Sequence, residues 1–383
     1  MDNAAQFDPC RPAAGSGCVS GFAIKGWCPD AWQPMETGDG LLVRIKPRLG
    51  RLSRDQALTL CALAQTYGNG MIDLTRRANL QIRGVNEAGW PALIAELVAH
   101  GLADPDAGRE GARNILIAPD WAQGDDSHRI ACDLMARTDE WPALPGKVGF
   151  VIDAGAAPIL SAEPGDFRIE RGASGRLILR ADGRPTGSPV PFGREADHLI
   201  ALAHWFARSG ARRMARHHAP LPDWADGTQC PALARPAIAP DGSALGVSFG
   251  QIEAGLLARA ATSALRITPW RVLLLEDSSP APIPGLITDP TSPLLRVDAC
   301  PGAPYCPQAE AETRDLARRL APVVEGRLHV SGCAKGCARS GPADITLTGR
   351  DGRFDLAFNA RAGAPPVRTD MDPAMVLAHF GVA

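Results

Sequence analysis

Four cysteines in the last quarter of this 383-residue chain are spaced to hold metal. Five residues separate Cys300 from Cys306, and three separate Cys333 from Cys337. Four thiolates of this kind can hold one [4Fe–4S] cluster, because soft sulfur donors suit iron–sulfur cores. A structural zinc site competes with that reading, but its cysteine pairs usually stand closer than the first pair does. Four unrelated buried thiols are the plain alternative. Gly302, Gly332 and Gly336 lie beside or between the ligands, where the backbone must turn tightly and bring N–H groups near sulfur.

The second chemistry is cationic. Residues 75–83 read Thr-Arg-Arg-Ala-Asn-Leu-Gln-Ile-Arg. Taken as part of one strand over 71–85, Thr75, Arg77, Asn79, Gln81 and Arg83 share one face. Leu74, Ala78, Leu80 and Ile82 share the other. A solvated sheet face explains the pattern blandly. An anion-binding face explains it more sharply, since guanidinium forks match carboxylates. Arg44 and Lys46 on the preceding strand add to the field. Arg113 opens a strand-like run over 113–117, and Lys147 stands just before or within another over 144–150.

These groups need a rigid framework. Residues 41–46 alternate as a strand does, with Leu41, Val43 and Ile45 on one face. Ser53 is placed to cap a helix running to Tyr67, which Gly68 and Gly70 stop. The strand over 71–85 and a helix over 87–100 complete a β-α-β-α order, which suggests a ferredoxin-like unit. A weaker copy follows, with a strand over 244–249, a helix over 251–263 and a strand over 265–276. Ile267-Thr268-Pro269-Trp270-Arg271 echoes Leu74-Thr75-Arg76-Arg77, which points to internal duplication. The expected divisions are a flexible arm at 1–21, a first half at 22–110 and an α/β domain at 111–217. A proline- and glycine-rich linker at 218–242, a second half at 243–299 and a cluster domain at 300–383 follow, with a short helix over 373–380.

Composition narrows the classes further. A net charge of −2 gives no reason to expect nucleic acid or an anionic membrane surface. No run of 18 apolar residues is present, and the acidic start Met1-Asp2-Asn3 lacks a signal-peptide pattern. The expectation is a soluble cytoplasmic protein with reduced thiols. Cys10, Cys18, Cys28, Cys61, Cys132 and Cys230 share no ligand spacing; Cys61 fits an apolar helix face, and Cys28 a pocket entrance. Adjacent residues such as His217 and His218 rarely chelate one metal. No dinucleotide fingerprint follows a strand, so electrons from reduced nicotinamide would arrive through a separate reductase or ferredoxin.

The cysteine layout followed by Ala338-Arg339 resembles the cluster segment of the siroheme-dependent sulfite and nitrite reductases. Lys25-Gly26-Trp27-Cys28-Pro29, residues 38–44 and residues 74–85 resemble more closely an oxygen-dependent branch of that family, the precorrin-3B synthases of aerobic cobalamin synthesis. The similarity runs from about Lys25 to about Gly349. It implies an α+β fold of duplicated ferredoxin-like halves with pseudo-twofold symmetry and a C-terminal [4Fe–4S] cluster segment. It implies a monooxygenase that hydroxylates precorrin-3A at C20 with O2 and forms a γ-lactone. That tetrapyrrole carries eight acetate and propionate carboxylates and needs several cationic forks, which assigns it to the 111–217 domain and the basic faces.

The expected substrate-binding set is therefore Arg44, Arg77, Asn79, Gln81 and Arg83. Arg113 and Lys147 form the expected catalytic pair, and Cys300, Cys306, Cys333 and Cys337 the metal ligands. Family members are also associated with a mononuclear non-haem iron, for which no ligand spacing is legible. Sulfite reductases carry a second lysine two residues after the first, where this chain has Gly149. That departure argues against sulfite reduction and suits an enzyme needing room there. The alternative remains a siroheme-dependent sulfite or nitrite reductase, in which the cysteine at the place of Cys337 bridges the cluster to siroheme iron. A non-catalytic iron–sulfur or zinc protein is the third reading.

Overall fold

The computed structural model describes residues 27–277 and 282–382, so the arm expected at 1–21 lies outside the described residues. The described chain forms two units, 27–296 and 297–382.

Alternating apolar residues build the first sheet, and Val43, Ile45, Ile72, Leu80 and Ile82 are fully buried in it. Its first four strands lie in the order Met35–Thr37, Gly40–Ile45, Leu80–Val85, Met71–Leu74, all antiparallel. Helix Arg54–Tyr67 adds Ala57, Leu60 and Ala64 to the same core. It starts where Ser53 predicts. The Ser53 hydroxyl accepts from the Gln56 N–H, and the Gln56 side chain accepts from the Ser53 N–H. This reciprocal cap satisfies donors that the first helical turn leaves without partners. Helix Trp90–Ala99 follows the hairpin.

The second half repeats the plan with shorter elements: Ala244–Gly246, helix Ala254–Ala260, Leu265–Ile267 and Val272–Leu275. The halves exchange strands. Gln251–Glu253 pairs with Met71–Leu74 as the fifth strand of the first sheet, and Arg51–Leu52 pairs with Leu265–Ile267 at the edge of the second. The helix expected from 251 therefore starts at Ala254, because its first three residues are claimed by the other half's sheet. Each exchanged strand follows a turn with two positive-φ residues, Leu49 (57°) and Gly50 (67°) or Phe249 (56°) and Gly250 (73°). Left-handed backbone costs a non-glycine residue roughly 1–2 kcal/mol. Its recurrence at equivalent positions marks a copied unit.

The continuous strand expected over 71–85 is a hairpin. The Thr75 hydroxyl accepts from the Arg77 N–H at 3.3 Å and the Asn79 N–H at 3.1 Å, and Ala78 takes a φ of 53°. One hydroxyl and one left-handed alanine reverse the chain, and apolar alternation does not register either. The stretch expected as a strand over 265–276 turns the same way. Thr268 accepts from the Trp270 and Val272 N–H groups, and Arg271 takes a φ of 61°.

Residues 111–217 form an α/β layer. Strands Ile115–Ile117, Phe150–Asp153 and Phe167–Arg171 are parallel, and Leu177–Ala181 and Ser188–Pro189 continue antiparallel. Helices Asp126–Ala136 and Glu195–Arg208 pack on this sheet around Phe150, Phe167 and Phe206. The segment expected as a linker, 218–242, is tied to the sheet. Gly187 and Gln229 exchange backbone hydrogen bonds, and the Ala232 N–H donates to Arg171.

The C-terminal unit repeats the layer strand for strand. Val297–Ala299, Leu328–Ser331 and Ala343–Arg350 are parallel, and Arg353–Ala360 and Arg368–Met371 are antiparallel. The duplication thus extends beyond the ferredoxin-like halves. Among the described residues no helix is long and apolar enough to cross a membrane.

Candidate functional site

The strand Gly40–Ile45, the hairpin tip and the end of helix Ala107–Ala112 bring basic residues to one cleft. Lys46, Arg77, Asn79 and Arg113 line it together with Arg48 and Ile115. Arg44 lies beside it, half-buried on the strand. With the Gln81 amide oriented to accept, its oxygen receives Arg44 Nε at 3.1 Å and Nη2 at 2.8 Å. Arg77 Nη2 donates to the Lys147 carbonyl at 2.6 Å, which places the exposed Lys147 next to the hairpin tip. Arg113 Nη2 donates to the Lys46 carbonyl at 3.0 Å and to Glu110 Oε2 at 2.7 Å.

The electrostatics of these cations are uneven. Burial pushes Arg44, Lys46 and Arg77 below their ordinary values. Cys28 and Asp30 partly offset this for Arg44, Glu110 and Asp30 for Lys46, and Cys28 and Asp166 for Arg77. Desolvation wins in each case. Lys46, Arg77 and Arg113 thus share one cleft with Arg48, and guanidinium and ammonium groups gathered in this way can hold an anion.

Two expected members behave differently. Arg83 does not join the open face. Its side chain is 3% exposed and pairs with Asp39 at 2.7 Å and Asp73 at 3.0 Å. Asn79 is buried, at 8% exposure, in the cleft wall. Gly149 does not leave room. A Cβ there would stand 2.8 Å from the Asn114 carbonyl and 2.9 Å from its side-chain nitrogen. The glycine lets neighbouring backbones close up, with the Phe150 N–H donating to Asn114 and the Asp166 N–H donating to Gly149.

Sequence reasoning missed Glu110, which is 0% exposed and links Arg113 to Lys46. The available signal was a carboxylate three residues before Arg113 on a short helix. His217 packs its ring on Trp205 and Phe206, at centroid distances of 5.1 and 5.7 Å.

In the C-terminal unit, Cys300 follows strand Val297–Ala299, and Cys333 and Cys337 follow strand Leu328–Ser331. The Gly332 N–H donates to the Cys300 sulfur at 3.2 Å. A Cβ on Gly332 would lie 2.7 Å from the Ala309 Cβ and 3.3 Å from the Gly302 Cα, so the cysteine-bearing loops touch backbone to backbone. Burial raises Cys333, and neighbouring Cys300 and Cys306 add to it. Cys337 is exposed on its loop. All-thiol donors with a backbone N–H on sulfur fit an iron–sulfur cluster. Among the described residues no group of three or more His, Cys, Asp or Glu side chains is close enough to hold a single metal ion.

Known proteins place this architecture. Residues 33–100 match the family model described as the nitrite/sulfite reductase ferredoxin-like half domain. Precorrin-3B synthase of Sinorhizobium sp. is 31% identical, over 94% of this chain and 88% of that protein. The chain therefore belongs to the nitrite/sulfite reductase family that includes precorrin-3B synthase, and is an oxidoreductase-type enzyme. Ferredoxin–nitrite reductase of Synechococcus elongatus is 26% identical over 86% of this chain and 80% of that protein. The solved structure of the Mycobacterium tuberculosis NirA protein shares the fold, with a TM-score of 0.58 at 19% identity over 87% of this chain and 78% of that one.

Proposed function

We propose that this enzyme hydroxylates precorrin-3A at C20 with dioxygen, with closure of the γ-lactone, as a precorrin-3B synthase. The carrying observation is the gathering of Lys46, Arg77 and Arg113 around one cleft, which suits a polycarboxylate. Similarity to a precorrin-3B synthase along nearly the whole chain supports the same reading. One oxygen atom enters the C20–H bond, and the other leaves as water with two electrons and two protons from a separate donor, a ferredoxin or an NADH-dependent reductase. Arg44, Lys46, Arg77 and Arg113 bind and orient the carboxylates, with Lys147 beside them. Positioning of this kind fixes which carbon meets the oxidant. Cys300, Cys306, Cys333 and Cys337 would hold a [4Fe–4S] cluster, which supplies single-electron transfer when bound. The family's mononuclear iron has no ligand set among these residues.

The second reading is a siroheme-dependent sulfite or nitrite reductase, favoured by the similarity to ferredoxin–nitrite reductase. Anaerobic purification followed by an absorption spectrum and acidic pigment extraction separates the two. An iron–sulfur envelope without siroheme, followed by incorporation of label from dioxygen into product, is the expected result. Stoichiometric siroheme would overturn the oxygenase reading.

A further inference from the structure

Glu110 has one carboxylate oxygen fully engaged and one with nothing. Oε2 accepts from Arg113 Nη2 at 2.7 Å and from the Asp104 N–H at 2.9 Å. Oε1 is buried without a hydrogen-bond partner. The Glu110 backbone carbonyl also receives the Lys46 ammonium, which reaches Gly111 as well at 3.2 Å. Glu110 thus touches Lys46 through its backbone and Arg113 through its wholly buried side chain. A buried carboxylate oxygen without a donor is costly, and here Arg113, the Asp104 N–H and Lys46 favour the ionised group.

We infer that Glu110 is a proton-linked positioning residue: ionised, its carboxylate holds Arg113 at the cleft, and it takes up one proton when a ligand carboxylate engages Arg113 and Lys46. This rests on the cleft being the tetrapyrrole site. The electrostatic reason is direct. An arriving anion shares the positive charge that stabilises Glu110 and adds a negative charge nearby, and both favour the protonated acid. The free Oε1 is where the proton goes. Burial already raises the Glu110 carboxyl, opposed by Arg113, the Asp104 N–H and Lys46 and aided by Asp30. The other charged groups around it are Asp104 and Asp106 at the start of its helix, and the Arg109–Asp139 pair on the helix's outer side.

The test uses the full-length protein and uroporphyrin, an octacarboxylate, between pH 7 and 8.5. Calorimetric titration in two buffers of different ionisation enthalpy counts protons taken up per porphyrin bound. The wild type is expected to take up close to one proton, and Glu110→Gln none, with binding that no longer tightens as pH falls. Proton linkage of one predicts up to a tenfold gain in affinity per pH unit for the wild type. Glu110→Asp keeps a carboxyl and is expected to keep the uptake, so a poorly folding glutamine variant does not end the test. Equal uptake in wild type and Glu110→Gln, or porphyrin binding by the wild type without uptake, overturns the inference alone. A wild type that does not bind porphyrin overturns the site reading and this inference with it.

Discussion

Arg77 and Arg83 stand six residues apart and have opposite fates. Arg83 is enclosed by Asp39 and Asp73, whereas Arg77 has burial without a matching carboxylate. Arg77→Ala is expected to weaken porphyrin binding about 10–100-fold, the range of a charge-assisted hydrogen bond, with an unchanged melting temperature. Arg83→Met should instead destabilise the fold by about 3–5 kcal/mol, because it strands two carboxylates. A denaturant titration beside a binding curve distinguishes these outcomes. Asp153 offers a pH test. It is buried at the end of strand Phe150–Asp153, and burial pushes its carboxyl from 3.8 to about 6, against N–H donors from Leu160 and Ile159. A raised folded-state value means the folded protein holds the proton over that window. The stability it contributes is present below the unfolded value and lost as pH rises through about 6. Asp153→Asn should remove that part of the slope between pH 4 and 6, read from chemical denaturation at several pH values.

At the scale of elements, close approach decides what can be substituted. Gly149 sits where a Cβ meets the Asn114 backbone oxygen at 2.8 Å. Gly149→Lys, which would install a reductase-like second lysine, should therefore unfold or strongly destabilise the α/β layer rather than create sulfite reduction. Even Gly149→Ala is expected to cost about 1–3 kcal/mol, the range for overpacking, measurable by thermal melting. The helices were legible because caps and period are local: Ser53 and Gln56 announce a start four residues long in sequence. The hairpin tips were not. Thr75 and Thr268 reverse the chain through one hydroxyl each, inside stretches whose apolar alternation reads as unbroken. The exchanged strands were hidden for another reason. Gln251–Glu253 finds its partner at Met71–Asp73, and no local pattern encodes a pairing that remote.

At the scale of the molecule, the chain is a duplicated fold in which one α/β layer carries the four spaced cysteines and the other does not. Cys333→Ser is expected to abolish the broad iron–sulfur absorption while leaving the far-ultraviolet dichroism near that of the wild type, since the surrounding strands do not depend on that side chain. Loss of dichroism together with the absorption would mean that the loops fold only around metal. The sequence by itself determined the capped start of helix Arg54–Tyr67 and the presence of a repeat, because each is written in residue type and short spacing. Only the tertiary structure decided which cations gather at the cleft, that Arg83 is enclosed by Asp39 and Asp73, that Glu110 pairs with Arg113, and that Gly149 is packed rather than open. Those outcomes depend on what arrives from distant segments to desolvate or neutralise a group, and a side chain's own neighbours in sequence carry no record of that.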